Sequence, residues 1–243
     1  MKLSHKIVMA SALLVNLPLA QAEEVGGFEL GANVALTTDY VWRGISQANE
    51  QWALQGGFDA KHKSGFSIGA WASNVNFKED NTINAEDRAN LELDVTAGYG
   101  GEMKGFSYSV AATRYGYPGA ASILNYDFYE FDLSLGYKLP QGIDLGFSYD
   151  FSPEFFGEVG SAHHYNLNAG YSLANGIGFS GHIGQQLFSD NDKAGDDYLY
   201  YGVSASYSLF GFDASVSYSD TDLDNSDTLG ADERIFFTLS KSL

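Results

Sequence analysis

Acidic side chains recur at alternate positions of the chain, set between large apolar residues. The most prominent are two pairs, Glu92 with Asp94 and Glu130 with Asp132, which the pattern places near the middle of their segments. Rings of carboxylates inside a pore make it prefer cations. We predict that these acids and two histidines in the same register line a polar interior: Glu29, Asp59, Glu92, Asp94, Glu130, Asp132, Asp144, Asp150, Asp213, His164 and His182.

Two alternatives concern the partners of these side chains. The acids could instead pair with Lys, Arg or Tyr side chains inside a plugged interior. Arg43, in the tight segment Trp42-Arg43-Gly44, is a candidate for the mouth of a pore. A structural role at the rim, held by loop carbonyls or an acid, is the interpretation that we favour for it.

Catalytic chemistry has weak support in the sequence. Ser180 and His182 lie two positions apart, with Asn166 and Asn168 on the preceding segment. A lipid hydrolase of the cell envelope would need Ser, His and a third polar group converging on a lipid-facing surface. The alternation places Ser180 and His182 on the opposite face, and the chain has no nucleophile-elbow motif. We therefore predict no enzymatic activity and no catalytic residue.

Two acidic stretches, 190–192 and 220–224, resemble the start of a calcium-binding loop. An EF-hand needs Gly at its sixth position and Glu at its twelfth. In the second stretch these positions hold Asn225 and Ala231. We predict solvated acidic loops, no metal site and no cofactor.

The segments that position the acids read as β-strands. Between Phe131 and Leu139, and again between Ile143 and Phe151, large apolar residues alternate with polar or small ones. Successive side chains of a strand point to opposite faces, so each strand has one apolar and one polar face. The intervening Pro140-Gln141-Gly142 is a turn sequence, which predicts an antiparallel hairpin.

The same alternation recurs along the chain and predicts twelve strands, or ten if the second and ninth are misread. The predicted strands are 28–36, 52–60, 66–72, 91–99, 106–112, 131–139, 143–151, 165–173, 177–183, 199–209, 212–218 and 235–239. Short and long connections alternate between them. Short turns at one end and long loops at the other are typical of outer-membrane barrels.

Three observations indicate that the polar face looks inward. A barrel of twelve strands is too wide for its own side chains to fill. The polar face is rich in Gly, Ser, Asn and Asp, and aromatic residues concentrate at strand ends, as at lipid interfaces. The predicted fold is therefore all-β: a transmembrane antiparallel up-and-down β-barrel with short periplasmic turns and long extracellular loops. A secreted soluble β-sandwich is the alternative.

The amino terminus has the pattern of a cleavable signal peptide. Lys2 and Lys6 precede a short apolar run, and Ala20-Gln21-Ala22 fits the small-x-small cleavage rule. We predict a signal peptide over residues 1–22 and a single barrel over 23–243. Its removal would change the formal charge from −18 to −20. So acidic a chain is a poor partner for nucleic acid.

One stretch is more specific than the alternation. Residues 38–47 read TDYVWRGISQ, followed by ALQGGFD at 53–59, HKSGF at 62–66 and GAWASNV at 69–75. This sequence resembles the TorF porin family of proteobacteria, also known as Gcw_chp. The resemblance covers about residues 37–77 and implies an outer-membrane β-barrel; it implies no particular substrate.

The sequence thus predicts a porin-like channel of the bacterial outer membrane for passive diffusion of small hydrophilic solutes or ions, with a preference for cations. The alternative is a non-conducting structural or adhesive barrel, with an envelope lipid-modifying enzyme less favoured. The expected partners are outer-membrane lipid and lipopolysaccharide, small solutes or cations, and the barrel-assembly machinery. The sequence leaves the oligomeric state open.

Overall fold

The computed structural model describes residues 23–77, 79, 84–224 and 226–243. The predicted signal peptide lies outside these residues. Within them, no helix is long and apolar enough to cross a membrane.

Twelve strands of 9 to 13 residues form the wall. They are β2 (Phe28–Thr37), β5 (Ala53–His62), β6 (Phe66–Asn74), β7 (Leu91–Met103), β8 (Phe106–Gly116), β9 (Phe128–Lys138), β10 (Ile143–Ser152), β11 (Ala162–Ser172), β12 (Ile177–Phe188), β13 (Tyr198–Leu209), β14 (Phe212–Thr221) and β15 (Arg234–Ser242). All neighbouring strands are antiparallel, and β2 pairs with both β5 and β15. The sheet is therefore closed, which confirms the predicted twelve-strand barrel.

The remaining elements are short. They are β1 (Glu23–Val25), the strands β3 (Val41–Trp42) and β4 (Ile45–Ser46), the helices α1 (Asn191–Ala194) and α2 (Ser226–Leu229), and two 3₁₀ turns at Ala85–Asp87 and Ser122–Leu124. Strand β1 folds back on β2 through Gly26 and Gly27. Strands β3 and β4 form a hairpin within the first long loop, residues 38–52, which we call L1.

The connections alternate in length as predicted. Five short turns join the wall strands at one end, over 63–65, 104–105, 139–142, 173–176 and 210–211. The six long loops at the other end span 38–52, 75–90, 117–127, 153–161, 189–197 and 222–233. We call these the short-turn end and the long-loop end.

The outer surface of the barrel is apolar. Leu133, Val203 and Phe237 point outward from the middle of their strands and are 37%, 59% and 57% exposed. Aromatic pairs flank this band, such as Phe106–Tyr137 near the short-turn end and Tyr149–Tyr165 towards the other, with ring centroids 4.4 Å and 5.0 Å apart. An apolar band between aromatic girdles is suited to a lipid bilayer.

The inner surface is polar and built of small residues. Where β8, β9 and β10 run side by side, Ser109, Ser134 and Ser148 lie opposite one another on the inner face. A wall of such residues leaves the lumen free for water or for a loop, because twelve strands cannot fill the space with their own side chains.

The two faces of β9 give a direct test of this orientation. Leu133→Arg would place a charge at the middle of the apolar band and should lower the free energy of unfolding by about 2–4 kcal/mol. Ser134→Arg, one residue on, faces the lumen and should cost far less. Urea unfolding of the protein refolded in lipid vesicles measures both. Equal losses would contradict the assignment of the faces.

Candidate functional site

Loop L1 folds into the barrel rather than away from it. Its two hairpin strands are joined by Arg43 and Gly44, whose φ angles are 49° and 83°. Positive φ at both central residues is the geometry of a type I′ turn, which suits a two-residue hairpin. A Cβ on Gly44 would lie 2.5 Å from Thr221 Cγ2 and 2.8 Å from Tyr200 Cβ, so the tip of L1 sits directly against the wall.

Hydrogen bonds fix the base of L1 to the wall and to other loops. Asp39 accepts from Ser46 Oγ at 2.6 Å within L1 and from Arg234 Nη1 of β15 at 2.8 Å. The backbone amide of Ser46 donates to Gly230 O at 2.8 Å, and that of Asn76 donates to Gln47 O at 2.9 Å. The loop is thus held at its base by polar contacts on both sides.

The Arg43 guanidinium at the tip is buried among side chains of the wall. Nη1 and Nη2 donate to Glu130 Oε1 and Oε2 at 2.9 Å and 2.8 Å, a two-pronged pair. Nη1 also donates to Gln186 Oε1 at 2.9 Å, and Nη2 lies 3.3 Å from Asp150 Oδ2. The Arg43 Cζ lies 4.2 Å from the centre of the Trp42 ring. These contacts come from three different wall strands, so one guanidinium ties β9, β10 and β12 to L1.

A second layer of hydrogen bonds holds Asp150 in place. His164 Nδ1 lies 2.5 Å from Asp150 Oδ2, and His164 Nε2 lies 2.8 Å from the Tyr200 hydroxyl. The Tyr200 hydroxyl also accepts from Asn166 Nδ2 at 2.8 Å. All four residues belong to the wall, so Asp150 has a partner that does not come from L1.

The second pair of acids meets a tyrosine of L1. Tyr40 OH donates to Glu92 Oε1 at 3.1 Å. Burial, followed by the Glu92 and Asp94 carboxylates, raises the pKa of the Tyr40 phenol well above its usual value, so the phenol keeps the proton that it donates. On the neighbouring strands, Thr113 Oγ1 donates to Asp132 Oδ2 at 3.1 Å.

An aromatic cluster covers one side of the long-loop end. The Trp42 ring stacks on Phe155 with centroids 6.1 Å apart, and the Tyr126 ring stacks on Phe156 at 4.1 Å. Tyr115 and Phe128, stacked at 4.4 Å on the wall, complete its base. L1 therefore anchors through aromatic packing on this side and through ion pairs below it.

The inner wall is buried all around the barrel at the level of L1. The buried inner residues at this level include Thr37, Ser73, Glu92, Thr113, Glu130, Ser152, His164, Gln186, Tyr200, Ser219 and Thr221, which come from ten strands. The lumen of the long-loop half is therefore filled by L1, whereas inner residues such as Asn168 and Asp59, nearer the short turns, are exposed.

The structure brings some of the predicted site residues together and separates others. Glu92, Asp94, Glu130, Asp132, Asp150 and His164 form one arc on the inner wall at the level of L1. Glu29, Asp59, Asp144 and Asp213 also face inward but lie near the short turns, and His182 lies between the two groups, with its ring centroid 5.5 Å from that of Tyr200.

Two expectations about position are corrected. Glu92 and Glu130 are the second and third residues of β7 and β9, at the long-loop end rather than mid-strand, because β7 continues to Met103 and β9 continues to Lys138. Arg43 lies inside the barrel rather than at its rim, with 7% of its surface exposed, because the wall acids compensate its charge there.

Sequence reasoning missed Gln186, Tyr200 and Thr113. Strand β12 continues to Phe188, five residues beyond the predicted end. The prediction stopped short because Gln185 interrupts the apolar alternation on the outer face. Counting alternate positions onward from His182 would have placed Gln186 on the inner face. Ser180 shares that face with His182 and is not on the lipid-facing surface that an envelope hydrolase would use.

The only carboxylate group that the described residues offer to a metal ion is the set Glu130, Asp132 and Asp150, with one oxygen of each within 4.8 Å of the others. The Arg43 guanidinium already bonds to two of these three residues. The positive charge at this position thus comes from the chain itself.

The family model for a bacterial protein of unknown function, Gcw_chp, matches residues 21–242 of this chain. The chain belongs to the Gcw_chp family. This confirms the family resemblance seen in the sequence, while the TorF designation stays a prediction. No curated protein matches this Gcw_chp protein.

Solved porins share its fold. The barrel is similar to the KdgM porin, with a TM-score of 0.59, 8% identity, and coverage of 87% of this chain and 97% of KdgM. It is similar to the NanC porin with a TM-score of 0.54, 8% identity, and coverage of 87% and 97%. A further match is the structure of the KdgM porin in complex with disordered oligogalacturonate, with a TM-score of 0.57, 8% identity, and coverage of 88% of this chain and 96% of that chain. At this identity the likeness establishes the fold of the Gcw_chp protein and nothing more.

Removing the arginine should release L1 from the wall. Arg43→Ala leaves Glu130 and Asp150 without their buried counter-charge, and breaking one side of such a pair typically costs about 3–5 kcal/mol. The amides of Ser46 and Gln47, which hydrogen-bond in the docked loop, should then lose protection in hydrogen exchange.

The matched control is Arg114→Ala. Arg114 pairs with Asp127 at 2.5 Å, but both side chains are about half exposed, so the loss should be about 0–1 kcal/mol and L1 should stay protected. Unchanged protection of Ser46 and Gln47 in Arg43→Ala would show that the ion pair does not hold the loop.

Proposed function

We propose that this Gcw_chp protein is an outer-membrane, porin-like channel for the passive diffusion of small hydrophilic solutes or ions, with a preference for cations. The observation that supports this most directly is a closed twelve-strand wall with a polar inner face, into which one loop is docked by ion pairs and hydrogen bonds. The loop is held by a small number of polar contacts and one aromatic cluster, and a single substitution can weaken each of them.

The outer surface supports the proposed location. An apolar band between aromatic girdles, with long loops at one end and short turns at the other, is the layout of bacterial outer-membrane barrels. The resemblance of the barrel to the KdgM and NanC porins agrees with this location. A signal peptide over residues 1–22, lipopolysaccharide around the loops and delivery by the barrel-assembly machinery belong to the same proposal.

The proposed path begins at the short-turn end. There the inner face offers five acids, Glu29, Asp59, Glu102, Asp144 and Asp213, and two lysines, Lys61 and Lys138. Lys138 Nζ contacts both oxygens of Asp144, at 2.9 Å and 3.0 Å. The excess of acids in this vestibule favours cations, which is the basis for the proposed preference.

The conductance expected of the wild-type barrel depends on how far L1 fills the long-loop half of the lumen. Because L1 closes most of the cross-section, the wild-type barrel should give small conductance steps in planar bilayers, and displacing L1 in Arg43→Ala should enlarge them several-fold. Heat-shifted gel mobility verifies that each protein is folded. A folded barrel that is silent both as wild type and as Arg43→Ala would contradict the channel.

The preference for cations is tested by the reversal potential under a salt gradient. Glu29→Gln with Asp213→Asn should reduce cation selectivity, and Lys61→Gln with Lys138→Gln should increase it, because the two pairs change the vestibule charge in opposite directions. Both effects should shrink at about 1 M salt, where the Debye length falls to about 3 Å.

The control for this measurement is Asp190→Asn with Asp192→Asn, which removes two charges from a surface loop. It should leave the reversal potential nearly unchanged. An anion-selective wild type, or equal shifts in all three double variants, would overturn the proposed preference while leaving the pore itself standing.

A non-conducting structural or adhesive barrel is the second candidate. The complete burial of the inner wall at the level of L1 favours it. Under this function, shortening the acidic loop 189–197 would abolish binding of cells or surfaces, and Arg43→Ala would still give no conductance.

A further inference from the structure

The wall site that holds Arg43 has the chemistry of a guanidinium receptor. Glu130 accepts two parallel N–H bonds from the fork, and Gln186 and Asp150 accept from its sides. Planar, two-pronged recognition of this kind distinguishes guanidinium from ammonium, which is a point charge without a fixed fork.

All three receptor residues belong to the wall rather than to the loop that supplies the guanidinium. Glu130, Asp150 and Gln186 lie on β9, β10 and β12, and all three are buried. Asp150 also contacts His164, which itself belongs to the wall. The strands from β9 to β12 are joined by continuous ladders of backbone hydrogen bonds, which keep these side chains at fixed separations, so the receptor persists when the loop departs.

If Arg43 leaves this site, its wall partners lose their counter-charge and their hydrogen-bond donors. Two carboxylates without a counter-charge and the Gln186 side-chain oxygen without a donor would face the lumen. A soluble cation of the same shape satisfies them all, because it supplies the same N–H groups in the same plane.

We propose that Glu130, Asp150 and Gln186 form a binding site for guanidinium-bearing solutes inside the lumen, and that Arg43 occupies this site as a tethered ligand. The inference rests on the proposed channel, whose interior it makes selective. While L1 is docked, the tether keeps Arg43 at a high effective concentration and excludes the free ligand. When L1 withdraws, the site is open to a guanidinium group entering with the solute.

The test is rescue of the missing side chain by a small molecule. In Arg43→Ala, methylguanidinium should reduce the enlarged conductance in a saturable way, with a half-blocking concentration about tenfold or more below that of methylammonium. The wild-type barrel, whose site is filled, should show no such preference. The double variant Arg43→Ala with Glu130→Gln should lose it as well.

A second variant keeps the test informative if Arg43→Ala does not fold. Gly44→Val retains the arginine but places side-chain atoms where Thr221 and Tyr200 already lie, so it should push the tip of L1 off the wall. The same preference for methylguanidinium is expected there, weakened by competition from Arg43. A rise in the heat-denaturation temperature with millimolar methylguanidinium reports binding without any current.

The outcomes separate the two proposals. Conductance that rises in Arg43→Ala but responds equally to methylguanidinium and methylammonium keeps the channel and overturns the receptor. A folded, silent Arg43→Ala protein that methylguanidinium still stabilises more than methylammonium keeps the receptor and overturns the channel. A silent protein stabilised by neither overturns both.

Discussion

The closure of the backbone hydrogen-bond ladder is the constraint on which the rest of this structure depends. In the membrane location proposed above, the sheet cannot leave an edge unpaired, since each bare N–H or C=O would cost several kcal/mol in hydrocarbon. Strand β2 therefore pairs on one side with β5 and on the other with β15, about 200 residues away along the chain. Closure at twelve strands fixes the width of the barrel, and that width leaves a lumen that the wall cannot fill.

Loop L1 fills the long-loop half of that lumen, mainly through polar contacts with the wall. A soluble protein of this size would fill the interior with apolar side chains, but here the apolar residues face outward and the interior is left with acids, serines and glycines. One guanidinium that bonds to three wall strands, the Asp39–Arg234 pair at the base of the loop and the aromatic cluster around Trp42 together take the place of a continuous core in the long-loop half. The short-turn half keeps its exposed polar face. The barrel is consequently asymmetric along its axis: the lumen is filled by L1 at the long-loop end and open to solvent at the short-turn end.

The sequence predicts the wall well and the loop poorly, for physical reasons. Alternation such as that of Phe131–Leu139 reflects a strand between two different environments, so twelve strands and five short turns can be read from it. The same signal fails at Gln185, where a polar residue faces outward beyond the apolar band and hides the end of β12. The docking of L1 has no local signal at all, because Arg43 and Glu130 are 87 positions apart and each alone is an ordinary charged residue. The sequence therefore predicts that the acids face inward and allows them an Arg or Tyr partner, but it does not identify Arg43 as the partner that Glu130 and Asp150 share.

Strand β1 gives the closure a feature that the wall strands alone would lack. Its three residues pair with Phe28–Leu30 on the same side of β2 where β15 pairs with Asn33–Thr37, and Leu243 exchanges backbone hydrogen bonds with Ala32 between them. The first and last segments of the sheet thus lie end to end along one strand. Because β1 already pairs with Phe28–Leu30, the edge of β2 leaves β15 only the stretch Asn33–Thr37. Strand β15 therefore has no room to slide along β2 towards the short turns. Strand β1 thus fixes the register between β15 and β2. Since this is the pairing that closes the barrel, it also sets the shear of the whole sheet.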